Sequence, residues 1–227
     1  PPDALLVDDA QRSARVVALD LQARVRAAHA RLADPADLDA LHDFRVAVRR
    51  LRSWLDVGDV PGRARRWLRR VARATNPSRD DEVFAEWLRE VRATLATRHR
   101  AAADWLLARI ARKKRQDVRA LGEELVRDLD RAMALLDERL PRYRVPHHVT
   151  KGATAEPFGA MLATLVRSGA SLLQRRLSAV QGPESAECIH RARIAGKRLR
   201  YQLEPVAAQV PGVEACLIRL KVLQDVL

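Results

Sequence analysis

The chain has 227 residues, 48% hydrophobic and 31% charged, enough apolar material for a packed core, so general disorder is excluded. Lys plus Arg number 42 against 29 Asp plus Glu, a net charge of +13 with an isoelectric point near 11.0, which points to an acidic partner such as nucleic acid, an anionic membrane or polyphosphate. Two cysteines, Cys188 and Cys216, are too few for a disulfide framework or a four-ligand zinc site, no apolar run approaches a membrane span and no secretory signal is legible; a reduced, cytoplasmic setting without membrane contact is expected.

Glycine is scarce, strand-type alternation is rare, and Ala, Leu, Arg and Glu dominate, so an all-α fold is expected. The apolar spacing predicts a first helix over about 8–32, stopped at Asp34-Pro35, and a second over about 37–57, before Gly58 and Pro61-Gly62. A third covers about 63–74 and ends at Asn76-Pro77. A fourth covers about 78–96, with Ser78 as N-cap and Asp81 three places on. A long helical stretch follows over about 101–140, with Trp105, Ile110, Val118, Leu121, Leu125, Leu129, Ala132 and Leu136 on its apolar stripe; Arg112 to Arg115 is the expected place for a break. Residues 141–155, with two prolines and His147-His148, read as a linker. Helices resume over about 156–180, 185–208 and 212 to the end. Pro1-Pro2 at the start and an uncapped Leu227 at the end lead us to expect native segments beyond both termini.

An internal repeat organises these helices. Residues 41–56 read LHDFRVAVRRLRSWLD and residues 189–204 read IHRARIAGKRLRYQLE, an offset of 148 with seven of sixteen positions identical and four more conservative. Pro35 and Pro183 align at the same offset. With the offset lengthened by four, Leu68-Arg69 and Val71 match Leu220-Lys221 and Leu223. The chain therefore divides into an N-terminal half, 1–145, and a C-terminal half, 146–227, each with one basic motif.

At about 100° per residue, His42, Arg45, Arg49 and Arg52 fall within roughly 80° of one another, beside an apolar stripe of Leu41, Phe44, Val48, Leu51 and Leu55. His190, Arg193, Lys197 and Arg200 form the same stripe in the second copy, with Arg50 and Arg198 on the far shoulder. One such face is ordinarily just a solvated face. Two copies, each with almost no acidic compensation and a histidine in the same place, favour an anion-binding role despite the like-charge repulsion. Residues 41–80 hold eleven Arg and four Asp, and Arg66, Arg69, Arg70 and Arg73 continue the charge on one side of the next helix. Five of the 42 cations are lysines, leaving 37 arginines, whose forks grip phosphate with two prongs; a GC-rich genome gives the same excess, so composition alone does not decide.

Other chemistries have weaker signals. The motif histidines have Arg and Lys neighbours, which repel a metal cation, so no metal site is expected. Gly196-Lys197 lacks the preceding glycine and strand of a phosphate loop. Asp80, Asp81 and Glu82 read as helix-start residues facing the dipole rather than as Mg²⁺ ligands. No catalytic residues and no cofactor are expected. Nucleic acid is the second reading, disfavoured because aromatics are 4% and mostly sit in apolar stripes, as Phe44, Trp54 and Trp87 do. Tyr201, beside the second motif, has either packing or a hydroxyl offered to phosphate as its role.

The paired His-x-x-Arg-x-Ala-x-(Arg/Lys)-Arg-Leu-Arg motifs resemble the CHAD domain, the conserved histidine α-helical domain. The resemblance extends to Arg79-Asp80-Asp81-Glu82-Val83 and to the terminal LKVLQDVL, after which family members continue with a glycine and a further helix; Asn76-Pro77 departs from the usual glycine after the third helix. The resemblance implies two four-helix bundles related by pseudo-two-fold symmetry, with a basic surface that binds inorganic polyphosphate and a link to polyphosphate granules. By motif position it implies His42, Arg45, Arg49, Arg50 and Arg52 as ligands from the first copy, and His190, Arg193, Lys197, Arg198 and Arg200 from the second. Arg69 and Lys221 join from the following helices. The triphosphate-tunnel domain to which such domains are often fused has no β-rich counterpart in these residues. Histidines beside phosphates take up protons more readily, so binding is expected to be tighter at pH 6 than at pH 8.

Overall fold

The computed structural model describes residues 4–34, 36–55, 62–75, 79–119, 123–142, 156–182 and 184–227. Among the described residues the elements are helical and none is a strand: α1 (Ala4–Val7), α2 (Ala10–Arg31), α3 (Ala40–Leu55), α4 (Gly62–Ala74), α5 (Arg79–Thr94), α6 (Thr97–Arg119), α7 (Glu123–Arg139), α8 (Phe158–Ser178), α9 (Ala186–Leu203), a 3-10 turn (Glu204–Val206) and α10 (Val213–Val226). The all-α expectation holds. The expected turn at Asn76-Pro77, the cap at Ser78, His147-His148 and most of the 141–155 linker lie outside the described residues.

Two boundaries differ from the sequence reading. A short helix precedes α2 because Asp9 caps the longer one: its Oδ1 accepts the Arg12 backbone N–H at 2.8 Å. The expected break at 112–115 does not occur, and α6 runs through it. Arg and Lys are good helix formers, and the crowding of charge there is eased by Lys113, which reaches Asp81 on α5 at 2.6 Å.

The chain forms two compact units, each assembled from separate stretches: Pro1–Gln22, Arg50–Val60 and Asp137–Leu227 in the first, Ala23–Arg49 and Pro61–Leu136 in the second. They divide space, whereas the halves 1–145 and 146–227 divide the repeat. In the first unit Leu173 of α8, Ala195, Leu199 and Leu203 of α9, and Val213 and Leu220 of α10 form one buried cluster. Helix approach is close here: a Cβ at Gly169 would lie 2.9 Å from Leu199 Cδ1. Trp54 and Phe158 are fully buried, with ring centroids 6.3 Å apart. The N-terminus is tied to α8 by two backbone hydrogen bonds of 2.9 Å, Ala10 N–H to Glu156 O and Phe158 N–H to Asp8 O.

In the second unit the buried residues include Val25, Leu41, Phe44, Leu68, Val71, Leu88, Leu129 and Leu136. Ion pairs fix its helix ends. Arg31 at the end of α2 meets Asp37 at 2.7 Å and Asp43 at 2.6 Å. Arg92 meets Asp104 at 2.5 Å across the α5–α6 turn. The hydrogen bond from Arg31 holds the Asp37 carboxyl below the usual carboxylate range, and Arg92 does the same for Asp104.

One expectation about the aromatics is corrected. Phe44 and Trp54 are core residues, but Trp87 is 52% exposed and stacks on exposed Phe84 at 5.6 Å. Ala85 and Leu88 occupy the inward positions of α5, which leaves 84 and 87 on the outer face. Trp105 on α6 is 56% exposed, with the Arg109 guanidinium 5.6 Å from its ring.

Candidate polyanion-binding stripes

The repeat in sequence is also a repeat in burial. At the offset of 148, Phe44/Ala192, Ala47/Ala195, Val48/Gly196, Leu51/Leu199, Trp54/Gln202 and Leu55/Leu203 are buried in both α3 and α9. His42 and His190 are exposed in both, and Arg49/Lys197 and Arg52/Arg200 are half-buried in both. Each helix thus turns one apolar face inward and carries its cations along the edge of that face, where their long stems pack. A Cβ at Gly196 would stand in ordinary van der Waals contact, 3.5 Å, with Nε2 of buried Gln224, so α10 packs close against this face of α9.

The copies differ at two cations. Arg45 is only 6% exposed, whereas its counterpart Arg193 is half-buried. Arg50 is half-buried, whereas Arg198 is exposed. The following helices repeat the pattern: Arg69 of α4 and Lys221 of α10 are exposed, each directly after a buried leucine, Leu68 or Leu220. On α4, Arg66, Arg69, Arg70 and Arg73 are all exposed opposite buried Ala64, Leu68 and Val71. Arg70 is engaged within the fold, with Glu124 at 2.5 Å and the buried Asp128 carboxylate at 2.9 Å.

Twelve residues carry the expected site. His42, Arg45, Arg49 and Arg69 belong to the second unit, and Arg50, Arg52, His190, Arg193, Lys197, Arg198, Arg200 and Lys221 to the first. Within the first unit, cations from both copies converge on one acid that the motif did not single out. Arg50 Nε donates to Glu204 Oε2 at 2.5 Å, and Arg200 Nε stands 3.3 Å from Glu204 Oε1. The second contact is an ion pair without hydrogen-bond geometry, since Arg200 Nε has no hydrogen-bond partner. The Arg200 guanidinium also lies 5.2 Å from the centroid of Tyr201, whose ring is buried, so packing is the role the structure gives that tyrosine. In sequence, Glu204 is only the conservative match of Asp56. The available signal was an acid four places after Arg200 at the end of an otherwise basic stripe.

Among the described residues, no three His, Cys, Asp or Glu side chains stand together as a metal site, and no helix is long and apolar enough to cross a membrane. Cys188 and Cys216 are both free thiols.

Comparison with known proteins shows the family and the fold. The family model described as the CHAD domain matches residues 17–227, a span that holds both basic motifs. A crystal structure of the CHAD domain from the plant Ricinus communis is similar with a TM-score of 0.72 at 24% sequence identity, covering 98% of this chain and 75% of that one, which shows the shared fold. No curated protein matches. With both repeat copies, the buried pattern beneath them and the helical fold all inside the matched region, the chain belongs to the CHAD domain family.

Proposed function

We propose that this chain is a non-catalytic module that binds inorganic polyphosphate along its two basic stripes and so targets or organises polyphosphate granules. The observation that carries the reading is the duplicated edge of cations on α3 and α9, set at equivalent positions beside equivalent buried faces. Polyphosphate is a linear polyanion without bases, so it needs charge and donors along a line rather than a pocket. Arg supplies two-pronged donors, and Lys and protonated His supply point charges. Bound counterions are released on binding, so affinity falls steeply with salt.

Nucleic acid is the second reading, and one observation favours it. Exposed Trp105 with Arg109, and the exposed Phe84–Trp87 pair, offer aromatic faces to bases. Polyphosphate is preferred because the two stripes themselves offer no exposed aromatic ring, Tyr201 being buried.

Calorimetric titration with long-chain polyphosphate over a salt series tests the proposal. Arg49→Ala, Arg193→Ala and Lys197→Ala are each expected to weaken binding and to reduce the slope of log K against log salt by about 0.7–0.9. Variants that keep the wild-type affinity and slope would contradict it.

A further inference from the structure

Glu204 sits where an anion belongs. Its carboxylate holds Arg50 of the first copy at 2.5 Å and Arg200 of the second at 3.3 Å, and all three residues lie in one compact unit. None is sealed from solvent: the side chains are 34% exposed for Arg50, 24% for Arg200 and 20% for Glu204. A phosphate would therefore compete with this carboxylate for the same two guanidinium groups. A guanidinium that already donates to a carboxylate has fewer donors and less uncompensated charge to offer a second oxyanion, and a fixed negative charge repels a polyanion passing it.

We infer that Glu204 is an affinity-setting residue of the stripe: its fixed negative charge, bonded to Arg50 and 3.3 Å from Arg200, offsets both guanidinium groups and lowers the affinity for a polyanion at this point. This rests on the polyphosphate reading and adds to it a residue that opposes binding. It also gives the pair a role in the unliganded protein. Two half-buried guanidinium groups from different repeat copies face each other at this point, and one carboxylate between them offsets their repulsion. The sign of a substitution follows. Removing the negative charge while keeping the side-chain shape adds one net positive charge to the stripe. A residue that merely braced the fold would give no gain in binding when altered.

Glu204→Gln keeps an oxygen that can accept from Arg50, so it is the variant of choice. Titrated with long-chain polyphosphate at about 150 mM salt, it is expected to bind about three- to tenfold tighter than wild type, the effect of one unit charge at short range through a partly aqueous medium. Its salt slope should steepen by about one contact. Arg50→Gln in the Glu204→Gln background should cancel part of the gain. As a second variant, Glu204→Ala, which leaves no acceptor for Arg50, is also expected to bind tighter than wild type; a folded Glu204→Ala that binds no tighter would overturn the inference. Wild type that binds while a folded Glu204→Gln binds equally or more weakly would overturn the inference and leave the proposed function standing, with Glu204 a brace. Binding by Glu204→Gln alone would support the inference. Absence of binding by both proteins would overturn both.

Discussion

Trp54 is fully buried on α3, and its indole N–H donates to the Ala14 carbonyl at 2.8 Å. Trp54→Phe removes that donor and part of the ring volume from a site that water does not reach. We expect a loss of about 1–3 kcal/mol in unfolding free energy, measured by urea denaturation; a loss under about 0.5 kcal/mol would mean that the hydrogen bond is replaced at no cost. That Trp54 and Phe44 are core residues was legible from their place on the apolar stripe. That Trp87 is exposed was not, because apolar residues on α5 occupy more than one face and spacing alone does not say which face is covered. The cations show the same limit. Spacing put Arg45 and Arg193 at equivalent positions, yet Arg45 is buried and Arg193 half-buried, since what surrounds each helix differs. Glu204 was visible only as an acid in a basic motif. Its meeting with Arg50, 154 residues away, is a tertiary contact that no local pattern encodes.

Helix existence was readable throughout because the chain is poor in glycine and its prolines cluster at the breaks. The unbroken α6 was misread because a run of four cations suggests repulsion, while the relief comes from Asp81 on another helix. The turn from α2 to α3 carries a testable charge arrangement. Arg31 lies between Asp37 and Asp43, and its hydrogen bond holds the Asp37 pKa below the ordinary carboxylate range. A carboxyl with a depressed folded pKa stabilises the fold above its unfolded pKa, and that contribution fades as pH falls through the folded value. Asp37→Asn should therefore lower the melting temperature at pH 7 more than at pH 3, with a small difference that high salt diminishes because both partners are solvated. Equal losses at both pH values would show that Asp37 acts through the shape of the turn rather than through its charge.

Across the whole molecule, the repeat and the compact units follow different logics. The repeat was legible because identical chemistry at a fixed offset survives in the letters, and α3 and α9 share both their buried and their charged positions. The units draw on stretches as far apart as Pro1–Gln22 and Asp137–Leu227, an assembly that periodicity does not specify: it says which face is apolar, not which helix covers it. The net charge of +13 makes association with any polyanion favourable at low salt, so binding by itself is weak support for a particular ligand. What distinguishes the proposal is a preference for an unbranched phosphate polymer over one that carries bases. The most direct measurement is a calorimetric competition at physiological salt between long-chain polyphosphate and double-stranded DNA at equal phosphate. The account predicts that polyphosphate binds at least about tenfold tighter and that the preference is lost when Arg49, Arg193 and Lys197 are replaced together by alanine. Equal affinity for the two polymers, or a preference that survives the triple replacement, would contradict it.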